Sequence, residues 1–105
     1  MKLIAWLALL LLTNPDVENI KKDNIKIQFY GTVIEEMTGE PIPGATILIK
    51  EFNQKIYTDF DGNFTIEDLI PGTYNLEVQF VSFEKKELKD LEITSESNSM
   101  LIRLN

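Results

Sequence analysis

Residues 58–80 read TDFDGNFTIEDLIPGTYNLEVQF. Two alternating runs lie in this stretch, each opened by a turn signal. Phe64 and Ile66 alternate with Asn63, Thr65 and Glu67 directly after Asp61-Gly62-Asn63. Tyr74, Leu76, Val78 and Phe80 alternate with Thr73, Asn75, Glu77 and Gln79 directly after Pro71-Gly72. A period of two sends successive side chains to opposite faces of a strand. Asp-Gly and Pro-Gly supply the turn backbone between such runs. The stretch therefore reads as two strands with one apolar face each.

The same pattern extends in both directions. Ile25, Ile27 and Phe29 alternate with Lys26, Gln28 and Tyr30, continuing to Val33. Ala45, Ile47 and Ile49 alternate with Thr46, Leu48 and Lys50, and Lys55 to Thr58 forms a short run. Leu48 gives that strand an apolar residue on its second face as well. Lys86 to Ile93 is a weaker strand with Leu88, Leu91 and Ile93, and Met100, Ile102 and Leu104 close the chain. Ala45 is the only alanine after Pro15, whereas Ile, Val and Thr abound. Such β-branched side chains fit a pleated surface better than a helix. Adjacent apolar residues at Phe80-Val81 break the alternation, so a bulge or bend is expected near Val81-Ser82. Seven short strands punctuated by turns predict an all-β, seven-stranded antiparallel Greek-key β-sandwich.

The first residues have a different composition. Met1-Lys2 precede the apolar run Leu3 to Leu12, which Thr13-Asn14-Pro15 breaks. A basic start, a short apolar segment and a polar break describe a secretory signal peptide. Ten residues of helix span about 15 Å, half of a bilayer core, so a normal membrane span is disfavoured. A weak anchor or a buried helix are the alternatives. The division is then 1–15 signal peptide, with a signal-peptide helix, 16–24 linker and 25–105 β domain. Cleavage between Leu12 and Asn19 would remove the only Trp, Trp6.

Charge and composition exclude several functions. The 105-residue chain is formally −7 at pH 7, with every acid after Pro15. Nucleic-acid affinity rests on Lys and Arg neutralising phosphates, so no nucleic-acid partner is expected. Anionic lipid heads are equally disfavoured, which leaves only the signal segment to meet a membrane. The chain has no Cys and no His. Disulfides, thiolate metal sites and histidine general bases are therefore absent. Ser95, Ser97 and Ser99 have no His to form a triad and read as a polar loop before the last strand.

Four further groups carry a functional reading beside a structural one. Asp59, Asp61 and Asn63, with Glu67 or Asp68, are weak candidates for a calcium site. Alternate carboxylates can converge on a hard cation, but Phe64 and Ile70 occupy the places where an EF-hand has glycine and its bidentate acid. The favoured reading is a β-turn in which Gly62 takes positive φ, so no metal or cofactor is expected. Glu35-Glu36 and the acids of 84–92 would serve glycoside hydrolysis only across a cleft about 5–9.5 Å wide. Solvated loop edges are the simpler account, and Lys85-Lys86 suit an edge strand. Tyr30, Phe52, Tyr57 and Phe60 either line a sugar- or peptide-binding face or, as favoured here, pack within the sandwich.

Taken in order, these residues resemble the carboxypeptidase regulatory-like domain, a seven-stranded β-sandwich related to transthyretin. The motifs are Gly31-Thr32-Val33, Thr38-Gly39-Glu40-Pro41, Gly44-Ala45-Thr46, Thr58-Asp59-x-x-Gly62-x-Phe64 and Leu69-x-Pro71-Gly72-x-Tyr74-x-Leu76. The resemblance covers roughly Phe29 to Asn105. Ser82-Phe83 stands where members often carry Gly-Tyr, which argues against a tight positive-φ turn at Ser82. The resemblance implies no catalytic residues. It implies an exported binding or scaffolding module in the periplasm or outer-membrane surface of a Gram-negative-type bacterium, with an envelope protein as partner. A carbohydrate or peptide ligand is compatible with it. Because members often stand in front of SusC-type TonB-dependent receptors, the alternative is the leading domain of such a receptor, its barrel missing or separately encoded. A small carbohydrate- or peptide-processing accessory protein is disfavoured by the missing His and Cys. With Asn105 directly after the last strand, the module is expected to stand alone behind its export signal.

Overall fold

The computed structural model describes residues 25–105. The proposed signal peptide and linker lie outside the described residues. Seven strands follow one another: β1 (Ile27–Glu35), β2 (Thr46–Ile49), β3 (Gln54–Tyr57), β4 (Asn63–Leu69), β5 (Gly72–Gln79), β6 (Lys86–Ile93) and β7 (Ser99–Leu104). They form a three-stranded sheet in the order β4-β1-β7 and a four-stranded sheet in the order β3-β2-β5-β6. The chain crosses between the sheets at β1–β2, β3–β4, β4–β5 and β6–β7, so hairpins within one sheet occur only at β2–β3 and β5–β6.

The core is the sum of the inward halves of these alternations. Phe29 and Val33 of β1, Ile47 and Ile49 of β2, Phe64 and Ile66 of β4, Leu76 and Val78 of β5, and Ile102 and Leu104 of β7 are all buried. Fully burying one such side chain contributes about 1.5–3 kcal/mol. That sum opposes the cost of ordering the chain. One-residue slips would turn each apolar set outward, so the core also holds the register.

Two expectations change, and a third is narrowed. The sandwich is not wholly antiparallel, because β1 and β7 pair in parallel from Tyr30↔Ser99 to Glu35↔Leu104. Parallel neighbours need a crossover rather than a hairpin, and here the whole intervening fold is that crossover. Of the bulge or bend expected near Val81-Ser82, the structure has the bend, as a turn. β5 ends at Gln79, and the Phe83 N–H donates to the Phe80 carbonyl at 3.1 Å. Ser82 holds φ = 75° there, so the tight turn survives without glycine. The bulges lie elsewhere. Asp68 (φ 57°) shifts the register of β4 against β1, and Asp90 (φ 53°) shifts β6 against β5. Asp and Ser visit this region more readily than branched residues, because short polar side chains bond locally.

Candidate functional site

The signature motifs at residues 38–41, 44–46 and 58–64 gather at one end of the sandwich and hold its loops together. Thr58 is the one buried polar residue among the described residues, 6% exposed. Its hydroxyl accepts the Ala45 N–H at 2.8 Å and donates to the Ile42 carbonyl at 2.6 Å. The Gly44 N–H donates to the Thr58 carbonyl at 3.0 Å. The end of β3 is thereby fastened to the entry of β2. Asp59 Oδ1 accepts the N–H groups of Asp61 and Asn63, both at 2.9 Å, and Gly62 sits at φ = 77°. Thr38 and Gly39 shape the connection after β1. Thr38 donates to Glu35 Oε2 at 3.0 Å, the Gly39 N–H donates to the Glu35 carbonyl, and Pro41 bridges to Ile34. At the other end, the Tyr74 hydroxyl donates to the Ile70 carbonyl across Pro71-Gly72, and burial pushes the Tyr74 phenol up from its ordinary value.

These contacts account for the proposed calcium ligands as turn residues. Asp59 spends one oxygen on two backbone donors, and Asn63 Oδ1 accepts the Thr32 hydroxyl at 2.6 Å. Glu67 and Asp68 lie further along β4, and no cluster of three or more ligating side chains forms among the described residues. Chelator is expected to leave the melting temperature unchanged. A rise of several degrees in millimolar calcium would promote Asp59 and Asp61 to ligands.

The aromatic residues neither pack inside nor share a face. Tyr30, Phe52, Tyr57 and Phe60 are all exposed, which corrects the packing reading. Tyr57 pairs with Thr46 at the margin of the four-stranded sheet. Phe60 is at the tip of the β3–β4 turn. Phe52 lies at the opposite end against Tyr74, ring centroids 5.8 Å apart. Tyr30 alone stands on the outer face of the three-stranded sheet.

The two outer faces differ in charge. The four-stranded sheet carries every ion pair among the described residues: Lys85–Glu77 at 3.0 Å, Lys50–Glu87 at 3.6 Å, Lys89–Glu87 at 3.7 Å and Lys85–Glu87 at 4.0 Å. Edge strand β6 is guarded as expected, and Lys86 Nζ also donates to the Arg103 carbonyl at 3.1 Å. The bond from Lys85 lowers the Glu77 pKa and raises that of Lys85. At the far end of this sheet, Glu51 accepts the Asn75 N–H and side-chain amide, which lowers its pKa below 4.5. A depressed carboxylate contributes stability above its unfolded pKa and loses it as pH falls through the folded one. Stability should therefore decline as the pH drops below about 4.5, and Glu51→Gln should flatten part of that slope. Denaturation midpoints across acid pH check this; an unchanged slope would refute it.

The outer face of the three-stranded sheet has a shallow groove of about 550 Å³ across β4, β1 and β7. Thr65, Tyr30 and Ser99 form one cross-strand row, and Asn63, Thr32 and Leu101 the next. Sequence reading found Tyr30 but missed its neighbours. The signal was present as uncharged outward residues, yet nothing local places β7 beside β1.

Fold and site define a seven-stranded β-sandwich whose signature motifs form its turns. The chain belongs to the CarboxypepD_reg-like domain family, whose pattern matches residues 29–105. It is 31% identical over 85 residues to TonB-dependent receptor P39 of Formosa agariphila, covering 81% of this chain and 8% of that receptor. The chain thus spans less than a tenth of that relative. Among solved structures it resembles a type II cohesin–X-dockerin complex from Acetivibrio cellulolyticus (TM-score 0.59, 21% identity, 73% of this chain and 56% of that one). It also resembles the group B streptococcus pilus 2b backbone protein (TM-score 0.55, 17% identity, 74% and 40%). A putative carbohydrate binding protein from Bacteroides uniformis aligns at TM-score 0.53, with 16% identity over 73% of this chain and 40% of that one. At these identities the structural likeness establishes the β-sandwich alone.

Proposed function

We propose that the chain is an exported, non-catalytic binding module of the cell envelope that works with a TonB-dependent outer-membrane receptor, as its leading domain or beside a separate barrel. The 31% identity to such a receptor over 81% of the chain carries this reading. The lack of His and Cys, which removes the commonest general base and the thiol nucleophile, agrees with it. So does the basic start and apolar run of residues 1–15.

Fractionation and intact-mass analysis test the address. The protein is expected in the envelope with Trp6 removed. Uncut Met1 to Asn105 in the cytoplasm would overturn export. In-cell cross-linking followed by mass spectrometry tests the partner. A TonB-dependent barrel in the cross-linked product, or fused to this domain, is the expected result. Cross-links confined to other envelope proteins would refute the receptor role.

A further inference from the structure

We infer that the outer face of the β4-β1-β7 sheet, centred on Tyr30, binds a neutral oligosaccharide. This goes beyond the receptor reading and does not depend on it, since the purified protein binds or fails to bind wherever it resides.

The first observation is the lining. In a chain that is 26% charged, no charged side chain lines the groove. The opposite sheet carries all the ion pairs. The charged residues of this outer face, Glu67 of β4 and Arg103 of β7, stand one row beyond the groove at its two ends. The second observation is the arrangement. Tyr30, 47% exposed, stands between the hydroxyls of Thr65 and Ser99 in one row. Asn63 and Leu101, 46% exposed, flank Thr32 in the next. The Tyr30 hydroxyl donates to Gln28, which orients the ring. Asn63 uses its carbonyl oxygen on Thr32 and keeps its amide N–H groups for a ligand. The Thr65 and Ser99 hydroxyls have no side-chain hydrogen bond among the described residues, so both remain able to donate and accept.

An aromatic body with convergent hydroxyl and amide groups suits a ligand that is apolar on its ring faces and hydroxylated at its edges. Strands lie about 4.8 Å apart, and same-face residues along a strand about 6.6 Å. Two rows across three strands therefore cover roughly 10 by 7 Å, the footprint of one or two sugar rings. Acidic sugars and phosphates would meet no cation in the groove lining and a chain of net charge −7. An extended peptide would bond its backbone to a sheet edge, not to a face. A second copy would bring two strongly acidic chains together.

The test uses the full chain and hexasaccharides of β-1,4-glucose, β-1,4-xylose, β-1,4-mannose, β-1,3-glucose and α-1,4-glucose, with hexagalacturonate as the charged control. Amide resonances are followed at millimolar sugar. At least one neutral sugar is expected to shift Tyr30, Thr65 and Leu101. Tyr30→Ala should weaken binding at least tenfold while the protein stays folded, since the ring is half exposed and outside the core. Tyr57→Ala, on the other sheet, should leave binding unchanged. The proposal is overturned if no neutral sugar shifts these residues, if hexagalacturonate binds as well, or if the shifts map to Phe60 and Val81. Tyr30→Ala binding like wild type would equally refute it, as would sedimentation showing the face closed in a dimer.

Discussion

Phe64→Ala is expected to remove about 3–5 kcal/mol of stability in urea denaturation, through lost transfer energy and a residual cavity. Phe64 is 4% exposed, and its ring lies 6.3 Å from that of Phe29. Its ring also covers Gly31, where an added Cβ would fall 2.1 Å from two ring carbons. Gly31 is therefore small because Phe64 is large. Its own φ is not left-handed, so the clash alone would make Gly31→Ala costly, by about 1–3 kcal/mol or more. In the Phe64→Ala background the same substitution enters vacated space and should be nearly free. A double-mutant cycle is expected to show favourable coupling of about 1–3 kcal/mol. A small domain has only about 5–10 kcal/mol in hand, so Phe64→Ala is read by its refolding midpoint rather than by yield. If Phe64→Ala matches wild type, the inward face of β4 is misassigned. If the two substitutions add without coupling, the contact between ring and glycine is not present in solution.

Gly62→Val should cost roughly 2–6 kcal/mol, because two penalties coincide there. Gly62 holds φ = 77°, and its missing Cβ would lie 2.6 Å from the Val33 carbonyl oxygen and 3.0 Å from Pro41 Cβ. That carbonyl accepts the Ile42 N–H at 2.9 Å, while the Gly62 carbonyl accepts the Val33 N–H at 2.8 Å. A side chain at 62 would force apart the bonds joining β1, the Pro41 bridge and the β3–β4 turn. Gly39 separates the two penalties. It has nearly the same φ, 75°, but nothing within 4 Å of its Cβ position. Gly39→Val should therefore cost only the backbone term, about 1–3 kcal/mol. Equal losses at the two glycines would mean that strain alone matters and that the close approach at Gly62 relaxes freely.

The strands, their inward faces and the principal turns were legible locally. Phe64 and Ile66 after Asp61-Gly62-Asn63, and Tyr74, Leu76 and Val78 after Pro71-Gly72, lie where a period of two places them. The turn role of Asp59 was readable for the same reason, since its bonds close within four residues. Ser82 misled because the sequence rule treats positive φ as a glycine property. A four-residue turn between two paired strands holds a serine there regardless.

Alternation records which face of a strand is apolar, because that preference is set by neighbours one and two residues away. It does not record which strands become neighbours. The parallel pairing of β1 with β7 joins Tyr30 to Ser99, and only closure of the whole sandwich brings them together. That closure decides that Tyr30 is exposed rather than packed, and that uncharged residues from three strands line one groove. It also decides that the lysines and glutamates meet on the other sheet. Local periodicity therefore determined the core and the turns of this protein, while its candidate binding face is a product of long-range strand order.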